Sequence, residues 1–137
     1  MRNSDGVADW IWIDSAVARA IHLEQLAEHG GPAGVRDKAG LESAMARARN
    51  LAAYGKPDAA ALAAAYAFGI ACDHAFVDGN KRTAAVVAET FLVLNGSILA
   101  ATDAELVVAF QTLAAGELSE TELADWFRIH TAALGAR

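Results

Sequence analysis

At 137 residues the chain is long enough for one domain with a hydrophobic core and too short for two comfortable ones. Hydrophobic residues, largely alanine, make up 55% of it and prolines number two, which excludes a disordered or collagen-like chain and favours packed helices. A net charge of −6 argues against non-specific coating of nucleic acid and leaves room only for a local basic pocket.

Residues 1–9 are polar and predict an N-terminal tail without a secretory leader, ahead of one domain over 10–137. Trp10–Ile13 contains nothing polar and reads as a short N-terminal strand or a lead-in to a helix. Asp14 or Ser15 suits the N-cap of a first helix through Glu28, stopped by Gly30 and Gly31. Residues 30–40 read as a loop. In the second helix Leu41, Ala44, Met45, Ala48, Leu51 and Ala52 form one apolar stripe, and Gly55 and Pro57 end it. Asp58 suits the cap of a third helix to about Asp73. Asn80 opens a fourth that ends at Asn95–Gly96. Thr102 with Glu105, and Ser119 with Glu122, fit the capping-box pattern at the starts of helices five and six, with Gly116 between them. The expected fold is therefore all-α, a single-domain bundle of about six helices.

Two segments, 59–72 and 84–94, are apolar almost all round. Helices of that kind are surrounded by protein, so these should form the centre of the bundle. Neither spans a bilayer at such length. The single Cys72 cannot form an internal disulfide and implies no oxidising compartment. The expectation is a cytoplasmic protein without a membrane partner.

Between the two apolar helices lies a concentrated polar loop: Asp73, His74, Asp78, Asn80, Lys81, Arg82 and Thr83. Lysine and arginine in the first turn of a helix oppose its dipole, unless an anion compensates them or they turn to water or to Asp73 and Asp78. Gly79 permits a backbone nest that aims N–H groups at one ligand oxygen, or serves as a turn. Asp78 suits Mg²⁺ beside a phosphate, or the cap of helix four. His74 suits a general base, since imidazole exchanges protons near neutrality, or a structural role at a helix end. Phe76 should bury its ring and anchor the loop. There is no G-x-x-x-x-G-K-[ST], no calcium-loop spacing, and no second pair to make zinc ligands of Cys72 and His74; the other histidines, His22, His29 and His130, are scattered.

The stretch His74–Ala75–Phe76–Val77–Asp78–Gly79–Asn80–Lys81–Arg82 resembles the motif of the Fic/Doc family, H-x-F-x-[D/E]-G-N-G-R-x-x-R. Lys81 stands in place of the second motif glycine and Ala85 in place of the second arginine, which is the form of the death-on-curing (Doc) toxin branch. The resemblance extends through Gly34–Asp37, Gly40–Ala44, Ala63–Tyr66 and Phe91–Gly96. It implies a Fic-like helical fold in which His74 deprotonates a threonine or serine hydroxyl of a target protein. In the same reading Asp78 orients Mg²⁺, Gly79 and Asn80 cradle phosphate, and Arg82 stabilises phosphate charge.

Lys81 implies presentation of the γ-phosphate of ATP in place of the AMP transfer typical of Fic enzymes. The implied activity is a protein kinase toxin that acts on a translation factor similar to elongation factor Tu, arrests translation and is neutralised by a cognate antitoxin. A self-inhibitory [S/T]-x-x-x-E-[G/N] segment is missing, since Leu106 and Leu123 stand where Thr102 and Ser119 would need the glutamate. Residues 52–58 are the expected place of a target-docking flap. The rivals are an AMP transferase, a non-catalytic module that binds nucleotide or a partner, and a DNA-binding protein using Arg36, Lys38, Arg47 and Arg49; the acidic charge opposes the last.

Overall fold

The computed structural model describes residues 9–134, so the tail expected over 1–9 lies, apart from Asp9, outside the described residues. The described elements are α1 (Ser15–His29), α2 (Lys38–Ala53), α3 (Ala59–Asp73), α4 (Asn80–Leu94), β1 (Ser97–Leu99), α5 (Asp103–Ala114), α6 (Glu120–His130) and β2 (Thr131–Ala133). The six expected helices are present. The two strands are an addition: β1 and β2 pair antiparallel with Ile98 opposite Ala132, tying the end of α4 to the end of α6.

Helix α3 is the axis of the bundle. Ten of its fifteen residues are buried, from Ala60 to Ala71, and it packs against α2, α4 and α6. Its small side chains let neighbouring backbones come close. A Cβ placed on Gly69 would lie 3.0 Å from both Cα and Cβ of Ala44 in α2. The expectation of burial all round holds for α3 and only in part for α4, whose Val93 and Leu94 are exposed at its C-terminal end.

Of the two readings of Trp10–Ile13, the strand does not form and the segment leads into α1 at Ser15. This segment is an irregular strap whose backbone is satisfied by side chains rather than by a neighbouring strand. Asn95 accepts from Ile11 N–H at 2.9 Å and donates to Ile11 C=O at 2.9 Å. The buried Tyr66 hydroxyl accepts from Ile13 N–H at 2.9 Å and donates to its C=O at 3.2 Å. With both groups of each residue already paired, no ladder partner is required. Trp10 and Trp12 flank the ring of Phe91 at centroid distances of 6.0 and 6.2 Å.

The caps follow the expectation closely. Asp14 caps α1, Asp58 caps α3, and both capping boxes are formed, at Thr102–Glu105 and Ser119–Glu122. The loop expected over 30–40 is shorter, because Asp37 accepts from Gly40 N–H at 2.9 Å and starts α2 at Lys38. The apolar stripe of α2 is buried at Leu41, Ala44, Met45 and Ala48 and runs out to solvent at Leu51. No helix among the described residues is long and apolar enough to cross a membrane.

Candidate active site

Helix α3 ends at His74, an exposed residue in the left-handed conformation at φ +49° and ψ +46°. It is the one non-glycine residue with positive φ among the described residues. That conformation costs an L-residue about 1 kcal/mol or more and is held by its surroundings. Immediately beyond, Ala75 and Phe76 are fully buried, Val77 and Asp78 are exposed, and Gly79 is buried again. The ring of Phe76 is buried, as expected.

The loop closes on itself through Asn80. Its Oδ1 accepts from Phe76 N–H at 3.1 Å and its Nδ2 donates to Phe76 C=O at 3.0 Å. The Asn80 amide is thus engaged within the loop. A phosphate at this place would meet backbone N–H groups and the neighbouring cations first.

Two other segments hold the loop from outside. In the first, Val35 bridges Phe76. The N–H groups of Arg36 and Asp37 donate to Ala75 C=O at 2.8 and 3.1 Å, while Val77 N–H donates to Gly34 C=O at 3.1 Å. In the second, His22 of α1 is buried against Phe76, with ring centroids 3.9 Å apart and planes 12° from parallel. Its Nε2 lies 2.7 Å from Asp78 C=O. A Cβ on Gly31 would fall 2.6 Å from Asp78 Oδ2, so the corner after α1 passes very close to that carboxylate.

Gly79 is left-handed at φ +78° and caps α4 without any side-chain bond. The other five helices each carry a side-chain N-cap, from Asp14, Asp37, Asp58, Thr102 and Ser119. Of the six described helices α4 alone offers its first-turn N–H groups no side-chain cap, and it does so where Lys81 and Arg82 occupy that turn. Asp78 Oδ1 accepts from Gly79 N–H at 2.8 Å, so the carboxylate stands beside this end instead of capping deeper into the helix. Lys81 is exposed, whereas Arg82 is half-buried with its Nε–H lacking a hydrogen-bond partner among the described residues. An orphaned buried donor and unclaimed backbone N–H groups fit a phosphate. No cluster of three or more His, Cys, Asp or Glu able to hold a metal exists among the described residues, so a cation at Asp78 would take its other oxygens from a phosphate and water, as Mg²⁺ commonly does.

A model of the Fic/DOC family matches residues 12–92, a span from the strap through the loop and nearly all of α4. The chain belongs to the Fic/DOC family. Two relatives are informative within it. "Protein kinase doc" of Escherichia phage P1 is 33% identical over 110 residues, covering 80% of this chain and 86% of that protein. "Toxin Doc" of Mycolicibacterium smegmatis is 47% identical over 75 residues, covering 53% of this chain and 57% of that protein. Both carry the Doc name, which puts the chain on the Doc side of the family.

As a Fic/DOC protein, the chain brings His74, Asp78, Gly79, Asn80, Lys81 and Arg82 together on one loop and one helical turn. Ala85, where the longer Fic motif has a second arginine, is packed in the core. The segment expected to dock a target, 52–58, lies elsewhere. Asp58 caps α3 and binds Arg128 of α6 at 2.7 and 2.9 Å, at the end of α3 opposite His74. A fifteen-residue helix separates the two by roughly 22 Å. Residues 34–37 are the ones that lie against the loop. Composition and spacing gave no sign of His22 as part of the site, because its partners are 54 to 57 positions away; only its place with Ala18, Gln25 and Leu26 on one face of α1 marks it as inward-facing.

Proposed function

We propose that this chain is a Doc-type protein kinase that transfers the γ-phosphate of ATP to a threonine or serine hydroxyl of a protein. The observation that carries this reading is Lys81 beside Arg82 in the first turn of the one described helix without a side-chain cap. Two cations there oppose the helix dipole, and a polyphosphate compensates both. A long cationic side chain also takes the space that a glycine would leave open, which favours direct contact with a terminal phosphate.

In this reaction the bond from the γ-phosphorus to the β,γ-bridging oxygen breaks as the hydroxyl oxygen bonds to the γ-phosphorus, and ADP departs. His74, held outward at the end of α3, accepts the hydroxyl proton. The N–H groups opening α4 receive phosphate oxygens, and Lys81 and Arg82 offset the charge on them. Mg²⁺, held by Asp78 and phosphate oxygens, would add positive charge to the transferring group. Positioning and charge supply most of the rate in phosphoryl transfer, and the loop is built for both. The name "Protein kinase doc" of a relative aligned over most of this chain supports the kinase reading. A translation factor similar to elongation factor Tu is the proposed target, translation arrest the consequence, and a cognate antitoxin the proposed neutralising partner. The name "Toxin Doc" supports the toxin role.

Parallel reactions with α- and γ-labelled ATP, Mg²⁺ and a cell extract test this, using wild type and His74→Ala. Label from the γ-position alone should reach a protein, and the variant should abolish it. Transfer of α-label would make the chain an AMP transferase. A His74→Ala protein that kept its full cellular effect would make it a non-catalytic binding module. Lys81→Gly should lower γ-transfer by on the order of tenfold or more, the scale of losing one charge-stabilising contact.

A further inference from the structure

We infer that His22, on α1, is a positioning residue for the transfer site, acting by fixing the Asp78–Gly79 peptide. The inference rests on the phosphotransfer reading and adds a residue outside the motif loop. Its Nε2 lies 2.7 Å from Asp78 C=O. A carbonyl oxygen only accepts, so the ring nitrogen there carries a proton and donates. The same ring lies flat on Phe76 at 3.9 Å and 12°. Gly79 sits directly beneath it: a Cβ on Gly79 would be 3.6 Å from His22 Cδ2 and 3.7 Å from Nε2.

One imidazole therefore reaches three residues of the loop's turn. It stacks on the ring of Phe76, bonds to the carbonyl of Asp78 and leaves room beside Gly79 for no more than an ordinary van der Waals contact. The peptide joining Asp78 to Gly79 is a rigid plane, so holding its C=O toward α1 also sets where its N–H points. That N–H is the donor to Asp78 Oδ1, and the peptide leads directly into the uncapped turn of α4. If the peptide rotated, the carboxylate of Asp78 and the first donors of α4 would both lose their aim. Gly79 is left-handed, with little resistance of its own to such a rotation. His22 supplies that resistance from a helix packed against α4.

Two substitutions separate the hydrogen bond from the stack. His22→Phe keeps a ring against Phe76 and removes the donor. His22→Gln removes the ring and retains an N–H the same number of bonds from Cβ. The measurements are kcat and KM for γ-label transfer, melting temperature, and the amide chemical shift and hydrogen exchange of Gly79. His22→Phe should lower kcat by on the order of tenfold to a hundredfold, the scale of a misplaced catalytic loop, with a melting temperature within a few degrees of wild type. Gly79 should shift and exchange faster, and His22→Gln should recover most of the loss in kcat. Wild-type kcat and an unmoved Gly79 amide in a folded His22→Phe protein would overturn the proposal, as would a Gln variant no better than Phe. Should wild type transfer no γ-label at all, the kinase reading fails by itself, and the Gly79 shift and exchange still decide whether His22 fixes the peptide.

Discussion

Asn80 and Phe76 bond to each other twice, the amide oxygen taking Phe76 N–H at 3.1 Å and the amide nitrogen giving to Phe76 C=O at 3.0 Å. The pairing closes the five residues 76–80 into a ring and puts its one fully buried aromatic at the base. Asn80→Ala removes both partners and leaves two backbone groups of a buried residue unpaired, which should cost about 1–3 kcal/mol in urea unfolding. Asn80→Asp keeps the acceptor and loses the donor, and should fall between wild type and Ala. Equal stability for all three proteins would contradict this account.

Tyr66→Phe should be as costly for a different reason. The hydroxyl is the shared partner of Ile13 N–H and C=O, and the segment 10–13 has no strand to replace it. We expect a loss of about 1–3 kcal/mol. Tryptophan fluorescence should report early loosening, since Trp10 and Trp12 of the strap pack against Phe91.

Gly69→Ala probes the spacing of α2 and α3. The added methyl would sit 3.0 Å from Ala44 Cα and Cβ, so α2 and the buried α3 must give at their contact. Helix propensity alone would favour alanine by up to about 1 kcal/mol. Overpacking should win, with a net loss of about 1–3 kcal/mol in thermal or urea unfolding. A stabilised variant would mean that α2 yields easily.

Asp58 links stability to pH. Hydrogen bonds from Arg128, above all, hold its carboxyl below the usual carboxylate range, against the opposing effect of partial burial. A group depressed in the folded state stabilises fully above its ordinary value and loses that contribution as pH falls through the folded value. Stability should therefore decline in the acid range below about pH 4. The pair is half exposed, so screening limits the effect to about 1 kcal/mol or less. Asp58→Asn retains a good N-cap and removes the charge, and its stability should vary less with pH over that range than wild type.

Burial, ahead of the nearby Asp73, pushes the Cys72 thiol up from its ordinary value. The thiolate is the reactive form, so Cys72 should alkylate more slowly at neutral pH than a free cysteine in urea-unfolded chain. Equal rates in the folded and unfolded protein would show that the thiol is neither shielded nor shifted.

Much of this protein is legible in its sequence. Helix caps are short-range chemistry, a side chain three residues from the N–H it accepts, so Asp58, Thr102 and Ser119 could be read directly and the first cap narrowed to Asp14 or Ser15. The central position of α3 followed from a run with no polar face. The 74–82 loop stood out because its charges interrupt that run, and the motif gave it a family.

Long-range contacts decided the rest. Trp10–Ile13 read equally as a strand or as a lead-in to a helix, and Tyr66 and Asn95, from 53 and 84 positions away, settled where its backbone bonds go. Residues 34–37 and 54–58 both belong to short connections between helices, and the packing of α3 put the first beside His74 and the second at its far end. The scattered histidines were indistinguishable in one dimension. His22 joined the loop, whereas His130 stacked on Trp126 beside Glu105 of α5. A sequence carries the identity of a donor and its local neighbours; which acceptor it meets depends on how helices cross, and that is settled by packing of the whole core.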